Sequence, residues 1–306
     1  MKIAFLNLCH TDPELVARAA SKLTQHENID MYIHVDLKTD IEPFLSALSN
    51  VPQVYFIKER FKLYWGGFNA VRATVAMLRQ ALASQKNYDY FIIFQNLDYP
   101  IRTNRQIISF FSEHKGTEFI RGCNIARTND WHYARKYKIY NKRDDDFYLK
   151  KHSKPRMYMR YINMLLKSFG TAFFNGVISE GDNNYELHYG AAQWAVTREL
   201  ANHFVEFYDT HPKFNSIMKH IQFPDETYFH TITHNSLFKY NCVKYDEDVK
   251  RWLVNWRNLH YFEYPGEITV MCEKDFDKII NEDALFIRKV KTGVSEKLLD
   301  RIDSME

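Results

Sequence analysis
Short apolar runs that alternate with helix-period segments constrain this chain more than any other feature in it. KIAFLNL is followed by DPELVARAASKLTQ, MYIHVD by a short helix near Ile41 to Leu48, VYFIKE by a longer helix, and YFIIFQ by a helix near Arg105 to Glu113, before EFIRG. A strand covered on both faces reads as a continuous apolar run, and its crossover reads as an amphipathic helix. The order therefore predicts an α/β chain whose first half forms an open, mostly parallel central sheet with helices on both faces. Of 306 residues, 45% are hydrophobic and 16% aromatic, while Gly (10) and Pro (8) are scarce beside Tyr (20) and Phe (23). That balance excludes a disordered or linker-rich chain and provides for one large core or two modest ones.

Sheets of this kind bind ligands beyond the carboxyl ends of their strands. The second strand there delivers His34, Val35 and Asp36, the third leads into Tyr64, Trp65, Gly66 and Gly67, and the fourth into Gln95, Asn96, Leu97, Asp98, Tyr99 and Pro100. Asp36 and Asp98 each have two readings: hydrogen bonding to ligand hydroxyls, or capping the next turn. LNLCHTD, after the first strand, contains no glycine, which disfavours a dinucleotide-binding enzyme. A net charge of +3 gives no global reason to expect nucleic acid as a partner. The four cysteines, Cys9, Cys123, Cys242 and Cys272, lack CxxC spacing and fit reduced thiols. With an N-terminus that turns polar too soon for a signal peptide, they point to the cytoplasm.

Local charge is less even. Lys150, Lys151, Lys154, Arg156, Arg160 and Lys167 crowd one region, and PRMYMRYINMLLKSF places Arg156, Arg160, Asn163 and Lys167 on one helical stripe. This helix either rests on anionic lipid or packs as an ordinary surface helix. Ahead of it, Trp131, Tyr133, Arg135, Lys136 and Tyr137 read as an active-site or surface loop, and Asp144, Asp145 and Asp146 as a solvated charge cluster. YGAAQWAVTREL reads as a strand running into a helix, with Gly190 marking close backbone approach to another group. In FPDETYFHTITHNS, Pro224 suits a first helical turn, so Glu226 is either a charge at the helix start or a chemical group. Glu226, His230 and His234, four residues apart, could also line one helical face and bind a metal, although this is not HExxH. ALFIRKV ends in Arg288 and Lys289, two cations after a buried strand, able to hold a pyrophosphate or to sit exposed at an edge.

Taken in order, HVDLKTD, YWGGFNAVRATVAML, QNLDYPIRTN, YGAAQWAVTREL, FPDETYFHTITHNS and ALFIRKV make the chain resemble the core-2/I-branching N-acetylglucosaminyltransferases, a family that includes the peptide O-xylosyltransferases. The resemblance runs from near the N-terminus to about Asp300. It implies a single GT-A-like, Rossmann-like domain over residues 1–306, with a nucleotide-sugar half (1–122) and an acceptor and catalytic half (123–306). It also implies inverting, metal-independent sugar transfer from a UDP-sugar, without a cofactor, to a hydroxyl of an oligosaccharide or lipid-linked glycan. By this resemblance Glu226 is the general base, and Asp36, Trp65, Asp98, Arg288, Lys289 and, as a second contact, Arg251 serve the donor. Gln193, Trp194 and Arg135 would meet the acceptor. Gln193 departs from the xylosyl branch, which carries an acid there, and this leaves base catalysis to Glu226. Animal members have a membrane anchor and disulfides, so a bacterial-type enzyme acting on a surface glycan is the expectation, with the Arg156–Lys167 helix as its possible membrane contact. Two other classes stay open: a metal-dependent hydrolase built on Glu226, His230 and His234, and a carbohydrate-binding protein without catalysis.

Overall fold
The first strand, β1 (Ile3–Cys9), is buried on both faces, with Ile3 and Phe5 in one core and Ala4 and Leu6 in another. Successive side chains of a strand point to opposite sides, so one apolar run seeds both cores. The computed structural model describes residues 1–141, 143–144, 154–243 and 257–305; Arg251 and the side chains of Arg156, Arg160 and Asn163 lie outside what is described. After β1 come α1 (Pro13–Thr24), β2 (Ile29–Val35), α2 (Glu42–Ala47), β3 (Val54–Phe56), α3 (Asn69–Leu82), β4 (Tyr90–Gln95), β5 (Asp98–Pro100) and α4 (Asn104–Glu113). The expected alternation is therefore present. The central sheet has the order β10-β4-β1-β2-β3, in which β10 (Ala195–Thr197) alone runs antiparallel, beside β4.

The remaining elements are β6 (Gly122–Asn124), α5 (Trp131–Lys138), α6 (Lys154–Thr171), β7 (Val177–Glu180), β8 (Asn183–Glu186), β9 (His188–Gly190), α7 (Arg198–Thr210), α8 (Pro212–Met218) and α9 (Tyr228–His234), then β11 (His260–Tyr261), α10 (Phe276–Ile280), β12 (Phe286–Arg288) and α11 (Glu296–Asp303). A second sheet, β11-β12-β5, sets Arg288 directly opposite Asp98. Both cores draw on residues far apart in the chain, one from Ala4 to Ile232 and the other from Ile3 to Ile302. The fold is α/β with a Rossmann-like, parallel-rich centre.

Three details differ from the sequence reading. The stretch holding Trp131, Tyr133, Arg135, Lys136 and Tyr137, read as an active-site or surface loop, is helix α5, with Asp130 capping its start. EFIRG is not a strand: Glu118 and Phe119 make only isolated bridges, to Cys242 and Ala195, and pairing resumes with β6 against β9. YGAAQWAVTREL holds two short strands, because the chain leaves β9 and joins the central sheet as β10 before entering α7. No helix among the described residues is long and apolar enough to cross a membrane.

Candidate active site
Glu226 ends a single 3-10 turn, Pro224–Glu226, which is separate from α9. Phe223 enters that turn in the left-handed region (φ 58°), and Thr227 leaves it at φ −126°. Glu226, His230 and His234 therefore do not share one continuous helical face. This corrects the expectation of a metal-binding stripe. Among the described residues, no three His, Cys, Asp or Glu side chains are grouped to hold a metal ion. The histidines lie behind the turn instead. His230 donates from Nε2 to the Ala191 carbonyl at 2.8 Å, and the His188 and His234 rings stack at 5.0 Å. Burial pulls His188 and His230 down to about 4 and His234 to about 2, so all three are neutral near pH 7. A Cβ on Gly190 would collide with the Arg121 carbonyl, on the side of the paired strand, and with the His230 ring, which identifies the close approach expected at that glycine.

The Glu226 carboxyl is partly buried, and Tyr189 on β9 donates its phenolic hydrogen to Oε2 at 2.5 Å. Burial raises the Glu226 pKa and the neighbouring Asp225 charge raises it further, against Lys136 and the Tyr189 hydrogen bond. Lys136, on the inner side of α5, places its ammonium 4.1 Å from the Tyr189 ring centre and 4.8 Å from that of Phe223. Phe223 also carries the edge of Trp65 at 4.6 Å, and Trp65 itself is 78% exposed. Arg143 joins them, donating to the Trp65 carbonyl at 3.1 Å. Gly66 follows with φ +72° and packs against Phe223 and Arg143, a conformation that suits glycine. Tyr189 and Asp225 were not predicted as part of the site, and Lys136 was placed only within a stretch read as an active-site or surface loop. Asp225 could have been suspected as a second carboxyl beside the base, whereas no local pattern marks Tyr189.

At the carboxyl ends of the strands, Asp36 caps its own turn. Its Oδ1 accepts from the Lys38 and Leu63 amides at 2.9 and 3.2 Å, and its Oδ2 pairs with the Lys38 ammonium at 2.9 Å. Arg60, which the sequence did not single out, holds this bend through the carbonyls of Val35, Asp36 and Thr39. Asp98 is fully buried and accepts from Arg288 Nη1 at 2.7 Å and from the Gln95 amide at 2.7 Å, with His260 Nε2 at 3.2 Å. Burial alone would raise its pKa, but the Arg288 charge, His260 and the amide outweigh that and hold it below the ordinary value. His10, next to the end of β1, feels Asp36, Lys38 and Arg288 together, so Asp36 lies in one neighbourhood with Arg288 and its partner Asp98.

Gln193 reaches Gln95 at the end of β4, donating to its Oε1 at 3.2 Å. Trp194 is corrected. It is 1% exposed and packs against Phe204 and Phe229 at 5.6 and 5.1 Å, so its ring belongs to the core and does not face an acceptor. Arg135 is exposed and lines a cavity of about 370 Å³ with Asn129, Asp130, Trp131 and His132. Lys289 is partly buried directly after Arg288. Of the expected solvated cluster, Asp144 is half-buried and accepts from the Asn69 backbone amide at the start of α3, at 3.1 and 3.2 Å, while Asp145 and Asp146 lie outside the described residues.

Residues 3–280 match the family model described as Core-2/I-Branching enzyme. The chain belongs to this family. Among relatives of this core-2/I-branching chain, Xylosyltransferase 2 of Homo sapiens is 20% identical over 321 residues, covering 99% of this chain and 33% of that protein. Xylosyltransferase 1 of Rattus norvegicus is 20% identical over 315 residues, covering 93% of this chain and 35% of the relative. The chain thus spans about a third of the length of these curated relatives. A solved Bacillus anthracis structure, described as a glucose-1-phosphate thymidylyltransferase, is similar with a TM-score of 0.38 at 10% identity, covering 81% of this chain and 87% of that one.

Proposed function
We propose that this core-2/I-branching protein is a GT-A-type, inverting, metal-independent glycosyltransferase. In this reading it moves GlcNAc or xylose from a UDP-sugar to a hydroxyl of a glycan acceptor. The observation that carries the proposal is Glu226: a partly exposed carboxyl with a raised pKa, oriented by Tyr189 and linked through Phe223 to the exposed Trp65. A base whose pKa lies near the working pH both ionises and accepts a proton effectively. The acceptor hydroxyl gives its proton to Glu226 as its oxygen bonds to the anomeric carbon. The bond from that carbon to the UDP oxygen breaks on the opposite side, which inverts the centre.

The departing diphosphate gains negative charge, which Arg288 and Lys289 meet with fixed cations. Asp98 orients Arg288, Asp36 and Trp65 border the donor, and Gln193 and Arg135 meet the acceptor. The xylosyltransferase relatives favour xylose, whereas Gln193 departs from that branch. A screen of UDP-sugars with and without simple saccharide acceptors, read as UDP release, tests the proposal. One donor should turn over with full activity in chelator, and no release from any donor would overturn the reading.

The acceptor we infer is a lipid-linked bacterial surface glycan, reached from the cytoplasmic face. Tyr158, Ile162, Leu165, Leu166 and Phe169 of α6 are exposed at spacings of three and four, on one helical face. The sequence has no Asp or Glu from 147 to 179, while Lys150, Lys151, Lys154, Arg156, Arg160 and Lys167 fall there. An exposed apolar stripe within a cationic segment suits an anionic bilayer. Flotation should show binding to vesicles containing phosphatidylglycerol and loss of it in Leu166→Glu. No flotation at physiological salt would remove the membrane contact.

A further inference from the structure
Lys136 is a buried lysine for which the proposed reaction has so far given no task. Only 4% of it is exposed, and its ammonium rests on the rings of Tyr189 and Phe223. A buried ammonium is costly unless anions and π faces compensate it. Burial lowers the pKa of Lys136, and Arg135 adds to that, while Glu226 and Asp225 oppose it by favouring the charged form. Its backbone carbonyl accepts from the Gln222 amide at 2.8 Å, tying α5 to the entry of the turn that carries both carboxyls.

We propose that Lys136 is a positioning residue that sets how readily Glu226 ionises, opposing its neighbour Asp225. The inference rests on the reading of Glu226 as the base. Groups on each packed element leave few other sources of charge. From α5 come Tyr133 and Arg135, from β6 Cys123, from β9 Tyr189, and across Phe223 comes Arg143. Helix α9, which follows the turn, brings Tyr228, whose pKa burial raises, and His230, held neutral at about 4, while the α3 cations Arg72 and Arg79 turn to Phe61 and Asp209. Burial pushes the Cys123 thiol up to about 12 and the Tyr189 phenol well above its ordinary value, so both stay neutral at working pH. Two carboxyls and one enclosed ammonium remain at the centre, with Arg135 and Arg143 outside. Without the ammonium, ionising Glu226 would place a second negative charge beside Asp225 with nothing enclosed to balance it. With it, the turn can carry the charge that base catalysis requires, while Tyr189 keeps one carboxylate oxygen in place.

The test reads ionisation without turnover, so it fails separately from the transferase reading. In protein labelled with 13C at the glutamate side-chain carboxyl, the Glu226 signal is assigned by its loss in Glu226→Gln and titrated. Lys136→Met should raise its midpoint by about one pH unit or more, a tenfold change in the ionised fraction. Lys136→Arg should largely restore it, and Asp225→Asn should lower it. The Asp225→Asn arm does not depend on whether Lys136→Met folds. In active protein, the acid limb of kcat/KM should move with the same midpoints. If the midpoint stays in place in folded Lys136→Met, or fails to fall in Asp225→Asn, the assignment is overturned.

Discussion

Glu226 and Glu118 are two glutamates with the same perturbation and different surroundings. Burial is the largest cause raising each, and Glu118 reaches about 7. Glu118 is 1% exposed and accepts from both the amide and the hydroxyl of Thr197, at the start of α7. Glu226 is partly exposed, with one phenolic donor, an adjacent acid and a lysine held on aromatic rings. A raised carboxyl therefore does not mark a base by itself. Access does, together with an oxygen that a substrate hydroxyl can reach. The largest expected effect follows directly. Glu226→Gln should lower turnover by roughly 100-fold to 10,000-fold with donor affinity nearly unchanged, whereas Glu118→Gln should leave turnover within about twofold. Titrating UDP binding and measuring kcat in both variants checks this, and normal turnover in Glu226→Gln would reverse the comparison.

The same contrast separates two adjacent cations that the sequence treats as equivalent. Arg288 is committed to the buried Asp98, whereas Lys289 has no ion-pair partner among the described residues. Removing one member of a buried pair leaves the other charge uncompensated and costs about 3–5 kcal/mol. Arg288→Ala should accordingly lower stability by that order in urea unfolding, in addition to weakening UDP binding. Lys289→Ala should weaken UDP binding while changing stability by only about 0.5 kcal/mol. Equal stability losses in the two variants would show that Asp98 does not depend on Arg288.

These differences also show which features the sequence could carry. The central sheet and its helices were legible because apolar runs and helix periods are local signals, present within any one of KIAFLNL, MYIHVD or YFIIFQ. Glu226, Asp98 and Arg288 stood out as members of ordered motifs, and the structure pairs Asp98 with Arg288. Tyr189 was not, because it meets Glu226 across 37 residues of sequence through the placement of β9. Lys136 read as part of an active-site or surface loop, and its burial was hidden because it depends on Tyr189 and Phe223 from later in the chain. Trp194 was misread for a different reason. Its acceptor role was carried over from the family resemblance, but pairing of β10 with β4 puts it among core rings.

The smallest effect is a test of Glu118 alone, through stability as a function of pH. Its carboxyl titrates near the ordinary 4.5 when unfolded and near 7 when folded. A raised folded pKa means that the stability it contributes is fully present below 4.5 and is lost as pH rises through 7, because the folded state holds its proton longer. Over that window the loss is roughly 2–4 kcal/mol. Glu118→Gln cannot ionise and should not show that loss. Gln offers only one acceptor oxygen to the two Thr197 donors, so its absolute stability can fall at low pH; the slope is the informative quantity. Urea unfolding of wild type and Glu118→Gln at pH 5 and pH 8 should show the difference between them shifting in favour of the variant as pH rises. Parallel pH profiles would mean that Glu118 ionises as easily in the core as in water. The contrast with Glu226 would then rest on access alone.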